Sequence, residues 1–264
     1  MERPQSHNTS HFDRQTASEI ETIADRDGSI LAVPVGSLEQ HGEHLPVATD
    51  TILVERVIDG ALEKLMDVPV LSTPPVWCGY SPHHLALGGT ISGDFATLKS
   101  HLEEIAATGL SNGFDAIAFV NGHGGNTALI ETVISEVGHA HQDVDAVGVT
   151  YFELDEELIT EIRKTETGGM AHGGEFETSL MLFLDPESVG ETRPADYLDE
   201  PYDLGPRDLL DGGPLAVYRS FESYAESGAI GDPSLASAEK GEALFDGLTD
   251  ALALLLRNVH EQNK

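Results

Sequence analysis

Short continuous apolar runs alternate along the chain with apolar stripes at helical spacing. Residues 29–35 (SILAVPV) predict a buried strand that enters a turn at Gly36. After Asp50 and Thr51, the positions Ile52, Leu53, Val57, Ile58, Ala61, Leu62 and Leu65 form one helical stripe. A second strand is expected over residues 68–73. Residues 74–93 are rich in Gly, Pro and His without helical period, which predicts a long loop or irregular hairpin near a site. Asp94 or Ser92 caps the next helix, whose stripe runs through Leu98, Leu102, Ile105, Ala106 and Leu110 until Gly113 stops it. DAIAFV (115–120) is a third strand, followed by a helix through Leu129, Ile130, Val133, Ile134 and Val137 and a strand over 145–150. A helix over 176–184, an extended excursion over 185–213 and a C-terminal helix over 234–259 complete the pattern. Strands alternating with helices predict an α/β fold, a mainly parallel sheet covered on both faces. Residues 1–16 are polar and without period, a flexible arm. Residues 17–264 read as one domain without repeats.

Composition narrows the class. About 40% of the 264 residues are apolar, enough for a sizeable core, yet no run approaches the roughly 18 to 20 residues of a membrane span. The first residues carry no apolar segment of the signal-peptide kind. Cys78 is the single cysteine, which excludes an internal disulfide and fits a reducing cytoplasm. It has no evident base partner, so a nucleophilic role is not expected. Fourteen Lys plus Arg against 46 Asp plus Glu give a net charge of −32. Such a chain repels phosphate backbones, so no nucleic-acid partner is expected. The charge points to a halophile's cytoplasm, where salt screens repulsion to about 3 Å near 1 M.

In open parallel sheets, sites gather at the carboxyl ends of strands. Here the first strand is followed by Glu39, His41, His44 and Asp50, and the third by His123. Two strands thus bring carboxylates and imidazoles to one sheet edge, a set suited to Zn, Mn or Fe. Asp50 is placed to bridge two cations. The turn NGHGGN (121–126) lacks a Walker lysine; Gly124 and Gly125 instead let the backbone pass close to the metals and offer N–H groups to an oxyanion. In HGGEFETS (172–179), Glu175 and Glu177 cannot share a helix face, so one reaches the site while the other holds a neighbour. His83 and His84 are ordinary loop histidines or substrate contacts. His7, His11, His101, His139, His141 and His260 lie in the polar arm or on helix surfaces.

The segment PVGSLEQHGEHLP (34–46) with Asp50, then NGHGGN, HGGEFETS, and GDPS (231–234) with AEKG (238–241), resembles the creatininase family, in order, over residues 30–245. The resemblance implies a three-layer α/β/α fold, two divalent ions per subunit and a homo-oligomer, commonly a hexamer. It implies that Glu39, Asp50 and His123 hold one metal, and that His41, Asp50 and Glu177 hold the other. His172 corresponds to the catalytic histidine, and His172 or Glu175 would pass a proton to the leaving nitrogen. The implied activity is hydrolysis of a non-peptide or small-molecule amide C–N bond by metal-activated water. Creatinine enzymes carry a glutamate where this chain has Gly125, and a tryptophan near the substrate, whereas Trp77 lies in a different segment. A formylaminopyrimidine nucleotide or a short peptide-derived cofactor precursor is therefore an alternative substrate. Arg193, Arg207 and Arg219 are the cations available for a phosphorylated one. A catalytically silent metal-binding assembly protein is the non-enzyme alternative.

Overall fold

The computed structural model describes residues 10–264. The flexible arm expected over 1–16 therefore falls largely outside the described residues. From Ser10 onward the chain runs along the sheet edge, where Ser72 N donates to Ser10 O at 2.8 Å and Phe12 packs on Phe114.

In chain order the elements are α1 (Ala17–Ala24), β1 (Ile30–Val35), α2 (Thr49–Glu63), β2 (Val70–Ser72), α3 (Phe95–Leu110), β3 (Ala116–Asn121), α4 (Thr127–Ala140) and β4 (Asp145–Thr150). Then follow α5 (Glu156–Ile162), β5 (Met170–His172), α6 (Glu175–Leu184), β6 (Ile230–Gly231) and α7 (Ala238–Gln262). The first four strands form a parallel sheet of order β2-β1-β3-β4, and β5 and β6 pair antiparallel.

Period-2 alternation assigns the two faces. Ile30 and Ala32 of β1, with Ala116, Ala118 and Val120 of β3, pack under α2, α6 and α7. Leu31, Val33 and Val35, with Ile117 and Phe119, pack under α1, α3 and α4. Every residue of β1 and β3 is buried, as expected for central parallel strands covered on both sides. This is the three-layer α/β/α arrangement. Among the described residues, no helix is long and apolar enough to cross a membrane.

Two helices go beyond the pattern read from apolar spacing. α1 has few core residues (Ile20 and Ala24) but carries a capping box, with Thr16 N donating to Glu19 Oε2 at 2.8 Å. α5 is a seven-residue piece capped by Asp155, which accepts from Leu158 N at 3.0 Å. The C-terminal helix begins at Ala238 rather than 234, because residues 233–235 form a separate tight turn and Ser237 is the cap.

Candidate metal centre and its pocket

Three strands of the main sheet deliver side chains to one edge. β1 and β3 end in register, with Val35 opposite Asn121 and Gly122 N donating to Val35 O at 2.8 Å. The chain after β1 therefore lies beside the turn that carries His123. The loop after β2 adds His83 and His84, while β5 ends on His172 and the first turn of α6 supplies Glu177. Glu39, His41, Asp50, His84, His123 and His172 are all buried.

The structure brings all five of the expected ligands into one chain of contacts. His41 Nε2 lies 3.1 Å from Asp50 Oδ1 and 3.5 Å from Glu177 Oε1. His123 Nδ1 lies 3.2 Å from Asp50 Oδ2, and its Nε2 lies 3.1 Å from Glu39 Oε2. Two further imidazoles face Glu39 Oε1: His84 Nε2 at 3.2 Å and His172 Nδ1 at 3.8 Å. Ligand atoms of Glu39, His41 and Asp50 lie within 4.8 Å of one another, as do those of His41, His172 and Glu177.

Hydrogen bonds determine which ring nitrogens are bare. A carbonyl oxygen can only accept, so His41 donates through Nδ1 to Glu39 O at 3.0 Å, leaving Nε2 as a lone pair between two carboxylates. For His123, a relay carries the proton on Nε2. Ser37 Oγ donates to Glu39 Oε2 at 3.2 Å, Ser81 Oγ to Ser37 Oγ at 2.7 Å, and His123 Nε2 to Ser81 Oγ at 3.0 Å. His123 Nδ1 is then bare and faces Asp50 Oδ2, a buried oxygen that completes no hydrogen bond. Both oxygens of Asp50 thus face ring nitrogens that would be lone pairs in the neutral rings, so each contact calls for a cation in between, a proton or a metal ion.

The electrostatics agree. Burial alone would lower the pKa of His41, but Asp50 and Glu177 overcome it and raise the imidazole well above its ordinary value. His123, likewise opposed by burial, is raised to about 10 by Glu39 and Asp50. Glu39 is held well below the usual carboxylate range by His123 and His84, despite burial. Without metal the cluster gathers protons where cations belong. The donor set therefore fits divalent ions.

His172 donates through Nε2 to Gln40 O at 2.6 Å, which leaves Nδ1 free toward the cluster. Burial, with His41 and His84 nearby, keeps it neutral. Gly124 and Gly125 line the cavity beside His123. A Cβ at Gly125 would come within 2.4 Å of His123 Nε2 and 2.5 Å of Tyr80 O, so no side chain fits there.

Glu175 does not reach the cluster. Its carboxylate accepts from Thr165 N at 2.8 Å and Lys164 N at 2.9 Å, and it pairs with Lys240 Nζ. Burial would raise its pKa, but Lys240 and these amides keep it lowered. The proton-transfer role expected of Glu175 is thus corrected, because two residues along a helix the side chain points into another environment. Glu177 faces the site, and Gly173 N donates to its Oε2 at 2.6 Å. His44 is also turned away, paired with Thr178 Oγ1 at 2.9 Å.

Sequence reasoning underrated His84 and missed Gln40. Gly42 N donates to Gln40 Oε1 at 3.0 Å, which fixes the amide. Gln40 Nε2 therefore donates to His84 Nδ1 at 2.8 Å and to Gly228 O at 3.1 Å. His84 then carries its proton on Nε2, toward Glu39. The signal was available, since β2 ends on the same sheet edge as β1 and β3.

The cavity holds about 400 Å³. Its far wall comes from the irregular segment between α6 and β6, including Leu198, Leu209, Tyr218, Arg219, Phe221 and Tyr224. Phe221 lies against His84, His83 and His172, with ring centroids at 4.2, 4.8 and 5.3 Å.

An α/β sandwich with a buried carboxylate–imidazole cluster at the sheet edge defines the class as a metal-dependent hydrolase of the creatininase type. The family model for creatininase (creatinine amidohydrolase) matches residues 13–256, and the chain belongs to that family. It is 32% identical over 234 residues to the mycofactocin precursor peptide peptidase of Mycolicibacterium smegmatis, spanning 85% of this chain and 83% of that one. It is 29% identical over 286 residues to the 3-dehydro-scyllo-inosose hydrolase of Thermotoga maritima, spanning 99% and 86%. A crystal structure of creatinine amidohydrolase superposes with a TM-score of 0.79 at 26% identity, covering 94% of this chain and 97% of that one. Solved creatininases include a manganese form and a mutant of Zn-Zn type.

Proposed function

We propose that this chain is a binuclear metal-dependent amidohydrolase that cleaves the C–N bond of a small amide. The observation that carries the proposal is Asp50, whose two buried oxygens each face an imidazole nitrogen that, among the described residues, only carboxylates engage, His41 Nε2 and His123 Nδ1. In this reading His41, Asp50 and Glu177 hold one ion; Glu39, Asp50 and His123 hold the other; and Zn, Mn or Fe suits the donors. Bound there, two divalent ions would supply a water acidified to a pKa of roughly 7 and an electrophile for the carbonyl.

The residues around them divide the remaining work. His172, tied through Nε2 to Gln40 O, uses Nδ1 to take a proton from the attacking water and deliver it to the leaving nitrogen. Gly124 and Gly125 open a helical turn at the cavity wall, where first-turn N–H groups lack helical acceptors and can serve an oxyanion. A reducing cytoplasm, a homo-oligomer and a salt-rich host belong to the same proposal and rest on composition and family likeness.

The test is reconstitution of chelator-stripped protein with Zn or Mn. It should bind about two ions per subunit and recover metal-dependent hydrolysis of an amide panel. Binding of two ions without any hydrolysis would favour a silent metal-binding protein. Absence of metal uptake would end the proposal. A short peptide is the second reading, favoured by the 32% identity to a precursor peptide peptidase. The nucleotide deformylase reading has less support, because Arg193 and Arg207 are paired or bonded outside the cavity and Arg219 is neutralised by Glu200.

A further inference from the structure

The cavity wall opposite the cluster has a definite chemistry. Arg219 is the one cationic side chain among the described residues lining it, and its guanidinium is already engaged. Nε donates to Glu200 Oε2 at 2.8 Å and Nη2 to Glu200 Oε1 at 3.1 Å. Tyr224 OH donates to the same carboxylate at 2.7 Å and Tyr202 N at 3.3 Å. The Glu200 side chain is 2% exposed, so this is a locked pair rather than a cation awaiting a ligand. The one carboxylate that lines the cavity outside the cluster without an ion pair among the described residues adds the opposite sign: Glu153, just after β4, is exposed. What remains is flat and apolar. Phe221 covers the imidazoles, Tyr224 meets it edge-on at 6.1 Å, and Tyr218 is 71% exposed at the opening.

Resting on the amidohydrolase reading, we propose that this pocket takes an uncharged amide bearing an aromatic group, seated against Phe221 and Tyr218, and that it rejects phosphorylated amides. An aromatic ring finds apolar area and edge-to-face partners here. A phosphate would meet Glu153 and a guanidinium whose charge is spent.

Hydroxamates test this without knowledge of the natural substrate, because they bind metal centres through the same head group. Binding of acetohydroxamate, benzohydroxamate and 4-phosphonobenzohydroxamate to the metal-loaded protein is measured by calorimetry and by the Co(II) spectrum. The phenyl compound should bind on the order of 30-fold tighter than the methyl compound. The rigid phosphonate should lose at least that advantage. Phe221→Ala should reduce the phenyl preference to a few fold, while acetohydroxamate binding and metal content persist. Glu200→Gln, which releases Arg219, should recover about tenfold for the phosphonate. Equal affinity for the methyl and phenyl compounds, or phosphonate binding as tight as phenyl, overturns the inference. Binding of none of the three by a protein that also holds no metal overturns the amidohydrolase reading instead.

Discussion

The two walls of the cavity are built on opposite plans. One stands on strand ends and the first turn of α6, where Glu39, His41, Asp50, His84, His123 and His172 are buried and each is held by another group. The other stands on an irregular segment of some forty residues, where Asp208 is paired with Arg163 and the pair of Arg219 with Glu200 ties half-exposed aromatics in place. Reactive groups need fixed positions to within fractions of an ångström, and packed elements supply that. Selection of a substrate tolerates a looser surface, which loops supply and can vary cheaply. The division suits a family whose relatives carry peptide, inosose and creatinine names.

The largest effect should come from Asp50. Asp50→Asn removes the charge that faces both bare imidazoles, so both ions should be lost. Activity should fall by 10³ or more, since metal activation is worth several kcal/mol. Elemental analysis checks this, and retention of two ions per subunit by this variant would refute the role proposed for Asp50 in holding both. The pair Glu175 and Glu177 sharpens the point within one helix turn. Glu177→Gln should weaken one metal site and leave folding nearly intact. Glu175→Gln should keep its metals but lose about 3 kcal/mol of stability in urea unfolding, because it strands the largely buried Lys240 ammonium. If the two substitutions exchanged these effects, the orientation argument would fail.

How much of this was legible in the chain follows the same division. The alternating strands and helices, and the convergence of Glu39, His41, Asp50 and His123 on one edge, could be read because they lie next to apolar runs with clear period. Whether Glu175 or Glu177 reached the edge could not be read, since that depends on where Lys240, 65 residues away, packs. α1 and α5 escaped because they bury only a few residues each and are marked by caps rather than stripes. His84 stayed between loop residue and substrate contact because, although β2 leads its loop to this edge, an irregular loop has no periodicity to aim a side chain. The Gln40 amide, whose orientation is set by Gly42 N, gives it a role only in three dimensions.

The outer shell of the metal wall should give intermediate effects. Gln40→Leu or His84→Phe leaves all five proposed ligands in place but removes the donor chain that turns toward Glu39. Loss of such a partner costs 10–100-fold in metal affinity or activity. Competition with a coloured chelator measures it, and affinity unchanged in both variants would return His84 to the status of a packing residue.

The smallest effect tests the other wall. Arg219, through its hydrogen bonds, together with Tyr224, holds Glu200 down at about 2, and burial only partly opposes it. A carboxylate depressed on folding contributes stability that is complete above its unfolded pKa of about 4.3 and is lost as pH falls through the folded value. Acid should therefore loosen the segment carrying Tyr218 and Phe221 only between about pH 4 and 2, and Arg219→Met should move that loosening up toward pH 4. Limited proteolysis at residues 198–224 across this window follows the change, with metal content tracked in parallel because the cluster's own carboxylates also protonate in acid. If the segment opened at the same pH in both proteins while metal stayed bound, the ion pair would not be what holds the wall. Selectivity would then have to come from Phe221 alone, through its contacts with the three histidines.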